Sequence, residues 1–158
     1  MRWREFRRLR GPEAPVQPGW EISFGQTGNR NRFLTELLRV VPEGTVLDVQ
    51  DDVDEIHAKQ LEPFLRYWRS ARWFRPAVMG VAISSECRAK LEAVIEPLDL
   101  TKAWGAIKIF KDDEVFFASN DYMYDSAPFV AAILGETFVQ NMKQAGVIAS
   151  YDWFEPEN

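Results

Sequence analysis

Residues 104–154 place the strongest constraint on the fold of this chain. Within them, two runs rich in β-branched and aromatic side chains, 106–110 and 115–119, are separated by four polar residues. Two such runs with a short polar connection predict a β-hairpin, although the connection contains no glycine.

A helix and a further strand are predicted after this hairpin. Pro128 is suited to a first helical turn, because its missing N–H leaves no hydrogen bond unmade there. Between Val130 and Ala145, apolar side chains recur three or four residues apart, which predicts one apolar face on about six turns of helix. Gly146 can end this helix, and residues 147–153 return as a strand. The C-terminal part is therefore predicted to be a strand-strand-helix-strand unit whose helix lies across the sheet.

Three strand-helix units are predicted before this C-terminal unit. Their strands cover residues 20–24, 45–49 and 76–83, and a helix is predicted after each strand. The third strand has no polar side chain, which is typical of a strand buried on both faces in the middle of a sheet. Strands connected through helices are expected to be parallel neighbours. We therefore predict an α/β or α+β fold with a mixed sheet of about six strands flanked by helices.

The first 19 residues differ in composition from the rest of the chain. They contain five arginines, interleaved with three large apolar side chains and followed by three prolines and two glycines. We predict a basic arm with a Pro/Gly linker over residues 1–19 and a single globular domain over residues 20–158. The arm could clamp a nucleic acid or an acidic partner, or it could pack on the protein's own acidic domain or fray in solvent.

Composition removes several function classes. No apolar run approaches 18 residues, so we expect no membrane-spanning helix, and the absence of a secretory signal predicts a cytoplasmic protein. Cys87 is the only cysteine and His57 the only histidine, which excludes a Cys/His zinc site within one chain. No nucleophile motif and no cofactor fingerprint is present, so no catalytic residue and no cofactor is predicted.

The most distinctive functional candidate is a stretch that alternates arginine with aromatic residues after Pro63. We expect it to continue a helix, with the arginines on its solvent face. Arginine and aromatic side chains together are typical of interface hot spots and of platforms on which bases stack. The alternative is a solvated helix face whose arginines pair with nearby carboxylates. The candidate partner-binding residues are Arg66, Tyr67, Arg69, Arg72, Trp73 and Phe74.

A second candidate lies where the first strand leads through a glycine-containing loop into a helix. Free amides at a helix N-terminus attract anions, and two arginines lie close in sequence. The loop matches neither the P-loop nor the dinucleotide fingerprint, so a plain turn and helix cap is the alternative. The candidate anion-binding residues are Gly28, Asn29, Arg30 and Arg32.

A third candidate is an acidic cluster at the end of the second strand. Carboxylate oxygens there could hold Mg²⁺ or Ca²⁺, although the spacing is not that of an EF-hand. Acidic residues are also the expected partners of a helix N-terminus. The candidate metal ligands are Asp48, Asp51 and Asp52.

Basic and acidic residues are unevenly distributed along the chain. The net charge is −5, yet all thirteen arginines precede residue 89, and the remainder is strongly acidic. Together with the missing catalytic motifs, this favours a non-catalytic binding protein, such as a small inhibitor or immunity-type partner of a bacterial toxin or enzyme, with a protein partner of acidic surface. One alternative is a small enzyme that uses a divalent metal on a phosphorylated small molecule or nucleotide. The other is a nucleic-acid-binding module, which the net negative charge disfavours.

Overall fold

A computed structural model describes residues 17–123 and 128–156 of the chain. The predicted arm therefore lies, up to residue 16, outside the described residues. In the described ranges the chain forms eight strands and four α-helices. The strands are β1 (Gly19–Ser23), β2 (Val46–Gln50), β3 (Leu65–Arg69), β4 (Val78–Ala82), β5 (Ala106–Lys111), β6 (Glu114–Ser119), β7 (Phe129–Ala131) and β8 (Ser150–Phe154). The helices are α1 (Arg30–Val40), α2 (Glu55–Gln60), α3 (Ser85–Ile95) and α4 (Glu136–Gln144).

All eight strands belong to one sheet, in the order β3-β4-β2-β5-β6-β7-β1-β8, and every neighbouring pair is antiparallel. The broad α+β class is confirmed, but the prediction of a mixed sheet with about six strands is wrong. The predicted parallel pairs do not form because α1 carries the chain from β1 past three strands to β2. The strands joined by the later helix-containing connections also run in the same direction, but one antiparallel strand separates each pair: β4 lies between β2 and β3, β2 between β4 and β5, and β1 between β7 and β8.

The four helices pack on one face of this sheet. In α1 the apolar side chains Phe33, Leu34, Leu37 and Leu38 are fully buried, which confirms the face predicted from their spacing. They meet alternate side chains of the strands, such as Leu47 in β2, because successive strand residues point to opposite faces.

The strand β4 differs from its prediction in position. It lies second from an edge of the sheet, not in the middle. Met79 and Val81 are buried on the helix face, whereas Val78 and Ala82 face the other side and are half-buried. An unbroken apolar run therefore indicates a strand with apolar residues on both faces. It does not by itself indicate a central position in the sheet.

The predicted hairpin forms as β5 and β6, but the long helix predicted after it is wrong. Residues 129–131 form β7, which pairs with both β6 and β1, and the helix α4 begins only at Glu136. Ile133, predicted on the apolar helix face, is exposed. Three consecutive apolar residues such as 129–131 are compatible with a helix or a strand. Here β1 and β6 both offer backbone hydrogen bonds, and these stabilise the strand.

The second predicted helix is also much shorter than expected. Its helical part, α2, ends at Gln60, and Pro63 lies in a single 3₁₀ turn. The arginine-rich segment that follows is the strand β3, paired with β4 at the edge of the sheet. The backbone hydrogen bonds to β4 stabilise the strand. A helix would gain little from the regular spacing of the arginines, because arginines do not form a buried apolar stripe.

Candidate functional site

The segment between β3 and β4, residues 70–77, contains a tight turn between Arg72 and Arg75. The backbones of Arg72 and Arg75 exchange two hydrogen bonds, Arg72 N to Arg75 O at 2.9 Å and Arg75 N to Arg72 O at 3.0 Å. Trp73 and Phe74 are left as the two residues of the turn. We refer to residues 69–75 as the arginine–aromatic tip.

Neither the turn itself nor packing explains the two aromatic residues. Two-residue hairpin turns favour Asn-Gly and similar pairs, which adopt positive φ, whereas Trp73 and Phe74 both have negative φ. Trp73 is 98% exposed and Phe74 is 77% exposed, and their rings contact each other edge to face with centroids 6.4 Å apart. Two large apolar side chains thus project into solvent without a contact in the core.

The arginines around this turn form no ion pair with a carboxylate of the described part of the chain. Arg66, Arg69, Arg72 and Arg75 are all exposed, and none forms an ion pair with any residue in the described ranges. Arg69 donates to the carbonyl oxygen of Pro76 at 3.3 Å, and the Arg75 guanidinium lies 5.6 Å from the Phe74 ring centre. The predicted alternative, arginines paired along a helix face, is therefore not what the structure contains.

Tyr67 is separated from the other predicted partner-binding residues. Its ring lies across Gly80 in β4, and its hydroxyl donates to the carboxylate of Asp48 in β2. The tip is thus formed by Arg69, Arg72, Trp73 and Phe74 of the predicted set, with Arg75 added. Arg66 lies on β3 outside the tip, whereas Tyr67 packs on β4 and donates to β2.

The candidate anion site is capped by the protein itself. The side chain of Asn29 accepts from the backbone N–H of Arg32 at 3.0 Å, so one of the free amides of α1 is already satisfied. Arg30 donates to the carbonyl oxygen of Met123 at 3.0 Å and lies over the Phe24 ring. Gly28 allows the loop to approach the backbone of Phe24 closely. These contacts are those of a turn and cap, and anion binding here stays a prediction without a supporting contact.

The three candidate metal ligands are divided between two environments. Asp48 is buried within the sheet, whereas Asp51 and Asp52 lie beyond the end of β2 and are exposed. The carboxylate of Asp52 accepts from the hydroxyl of Tyr122. Among the residues that the structure describes, no group of three His, Cys, Asp or Glu side chains could hold a metal ion. The metal hypothesis therefore gains no support from the geometry.

The same end of β2 belongs to a strained cluster that no sequence signal marks. Asp51, Asp52, Trp104, Tyr122 and Met123 all have φ between 50° and 63°, a conformation that non-glycine residues seldom adopt. Their segments are joined by backbone hydrogen bonds through Gly105, which donates to Asp51 O at 3.1 Å and accepts from Tyr122 N at 2.9 Å. None of the five is glycine, so sequence analysis could not have found them.

Comparisons with protein-family models, with curated proteins and with solved structures found no match. Within residues 17–123 and 128–156, no helix has the length and apolar character needed to cross a membrane.

Proposed function

We propose that the protein is a non-catalytic binding protein whose arginine–aromatic tip docks on an acidic surface of a protein partner. The inhibitor and immunity proteins that neutralise bacterial toxins or enzymes are the class of binding protein that this proposal favours. The observation on which it depends is the exposure of Trp73 and Phe74 between arginines that form no ion pair within residues 17–123 and 128–156.

Docking buries the two exposed rings of the tip and pairs its guanidinium groups with carboxylates of the partner. Burying an exposed aromatic side chain contributes about 2–3 kcal/mol, and aromatic and arginine residues dominate measured interface hot spots. The guanidinium is planar and forms paired hydrogen bonds with carboxylates, so it loses little freedom for each contact it makes. An apolar centre ringed by arginines fits a partner whose apolar pocket is ringed by carboxylates.

Charge favours a protein partner over a nucleic acid. Binding to a phosphate backbone depends on many cationic contacts, and the net charge of this chain is −5. The tip offers a few guanidinium groups at one narrow end of the sheet. Such a small cationic area suits a local acidic patch better than a long phosphate backbone.

The charge component is tested by titrating the full chain with two probes, a poly-glutamate peptide and single-stranded oligothymidine. Arg69→Glu/Arg72→Glu is expected to weaken poly-glutamate binding about thirtyfold, equivalent to about 2 kcal/mol, with an unchanged Tm. The matched control is Lys59→Glu/Lys143→Glu, which makes the same change in net charge at exposed residues outside every candidate site. Equal losses in both variants would show that only total charge matters, and tighter binding of oligothymidine would favour the nucleic-acid alternative.

The apolar component needs its own pair of variants. Trp73→Ser/Phe74→Ser is expected to weaken binding of the poly-glutamate peptide only slightly, because this probe offers no apolar pocket. It should abolish binding to a natural partner, where the rings are buried. Ile56→Ser/Ile133→Ser removes two other exposed apolar side chains and should change neither.

A further inference from the structure

The two edge strands of the sheet run in opposite directions. Every neighbouring pair among the eight strands is antiparallel, so β3 at one edge and β8 at the other are antiparallel to each other. No strand among the described residues pairs with the outer side of either one. Edge strands present backbone N–H and C=O groups that can pair with a further strand. A second copy in the same orientation could therefore place its β8 beside β3 and continue the antiparallel ladder.

The β8 edge carries two carboxylates side by side. Asp152 in β8 lies directly opposite Glu21 in β1, and both side chains are exposed. Neither forms an ion pair within residues 17–123 and 128–156. Like charges at directly opposed positions on neighbouring strands destabilise the pairing. A cation placed along the outer side of β8 would relieve this repulsion.

The β3 edge carries the opposite charge on the same face of the sheet. The strand register connects Asp152 through every intervening strand to Tyr67, so both lie on the face opposite the helices. Arg69, two residues further along β3, faces the same way. Its guanidinium is exposed, donates to the carbonyl oxygen of Pro76 at 3.3 Å and forms no ion pair in the described ranges.

On the helix side, the same two edges are aromatic. Trp68 in β3 and Trp153 in β8 lie on this side, since their register partners Met79 and Trp20 belong to the core. Trp68 is half-buried and Trp153 is 54% exposed. Contact between two such rings at adjoining edges would remove apolar surface from water.

One register of a β3–β8 pair matches both faces. Residue numbers rise along one antiparallel strand as they fall along the other, so setting Arg69 opposite Asp152 also sets Trp68 opposite Trp153. The β-bulge of β3 lies before Tyr67 and therefore outside this register. Pairing two copies through the same edge has no such match, because it brings arginines to arginines or carboxylates to carboxylates.

We propose that the protein self-associates head to tail, with β8 of one copy added to the β3 edge of the next. Backbone hydrogen bonds, an ion pair between Arg69 and Asp152, and contact between Trp68 and Trp153 stabilise the assembly. The charges keep like edges apart and permit this heterologous pairing. The inference is independent of the proposed function. It uses one arginine of the arginine–aromatic tip and leaves the two rings of the tip uncovered.

Sedimentation equilibrium of the full chain tests this assembly. The mean mass is expected to rise with protein concentration at low salt, and less so at high salt. Arg69→Glu alone and Asp152→Lys alone should each weaken self-association at least about tenfold. The combined variant Arg69→Glu/Asp152→Lys should regain it, because the ion pair returns with its charges exchanged. Asp113→Lys makes the same charge change as Asp152→Lys at an exposed residue of the β5–β6 connection, and it should have little effect.

Amide hydrogen exchange shows whether the strands themselves pair. Amides of residues 67–69 and 152–154 should exchange more slowly at high protein concentration than at low concentration. A wild-type protein that stays monomeric, or a combined variant that fails to regain association, would overturn the proposal. Loss in one single variant but not in the other would overturn it as well, since that pattern indicates a symmetric dimer through one edge. Asp152 lies outside the tip, so Asp152→Lys should not weaken binding of poly-glutamate, and the two proposals can fail separately.

Discussion

The ring of Tyr67 occupies the space in which a side chain at position 80 would lie, so glycine is the residue that fits there. A Cβ atom at this position would collide with three ring carbons of Tyr67, and the same tyrosine donates to Asp48. The contact joins β3, β4 and β2 on the face of the sheet opposite the helices. It also shows why Tyr67 belongs to the sheet although its neighbours in sequence belong to the tip.

Gly80→Ala is therefore expected to lower the free energy of unfolding by about 2 kcal/mol, because the ring must move and its hydrogen bond to Asp48 is lost. Urea denaturation measures this change. In a Tyr67→Ala background the same substitution should cost much less, since the collision is absent. Equal costs in the two backgrounds would contradict the assignment of Gly80 as space for the ring.

The thiol of Cys87 provides a pH-dependent prediction. Burial raises its pKa from 9.0 to about 11, with the Ser84 hydrogen bond and Arg88 acting in the opposite direction. The folded protein thus holds the proton more tightly than the unfolded chain, and stability is lost as the pH rises from 9 toward 11. The difference in unfolding free energy between wild type and Cys87→Ala should shrink over this range. A difference independent of pH would show that the thiol titrates normally.

At the scale of the element, the helix α1 was predictable because its signals agree. Asn29 is a good cap, the apolar residues recur at helical spacing, and Pro42 follows the end. The strands β3 and β7 were not predictable for the opposite reason. Each is short, each has a composition that also suits a helix, and each becomes a strand only because a neighbouring strand offers hydrogen bonds.

The cap of α1 can be tested directly. Asn29→Ala should cost about 1 kcal/mol of stability, because the backbone N–H of Arg32 loses its acceptor. Asn29→Asp keeps an oxygen at the same place and should preserve stability in thermal denaturation. A destabilised aspartate variant would indicate that the asparagine amide has a role besides capping, and the anion hypothesis would then regain weight.

At the scale of the whole molecule, the strands that become neighbours could not be deduced from the order of elements. A strand, a helix and a strand suggest a parallel pair only if the two strands become neighbours, and β1 and β2 are separated by β5, β6 and β7. For the arginine–aromatic tip, the residues could be predicted but the shape could not. Its residues were identified from composition, but its shape, a turn that presents two rings, depends on the antiparallel pairing of β3 with β4.

The folded chain therefore has an asymmetric surface. An arginine–aromatic tip projects from one edge strand, and the opposite edge strand, β8, contains Asp152 and is followed by Glu155. Opposite charges at opposite edges orient the molecule in the field of a charged partner and speed encounters at low salt. Raising the ionic strength is expected to slow association through the tip while leaving the thermal stability nearly unchanged.

The most direct test of the binding function is photo-crosslinking in the cells that make the protein, with a photoreactive phenylalanine in place of Phe74. The proposal predicts one protein adduct, which is lost when Arg69→Glu/Arg72→Glu is added and retained with Lys59→Glu/Lys143→Glu. The same photoreactive residue at Ile133, which is similarly exposed, should give no such adduct. Adducts with nucleic acid, equal adducts from both positions, or none at position 74 would contradict a protein-binding tip.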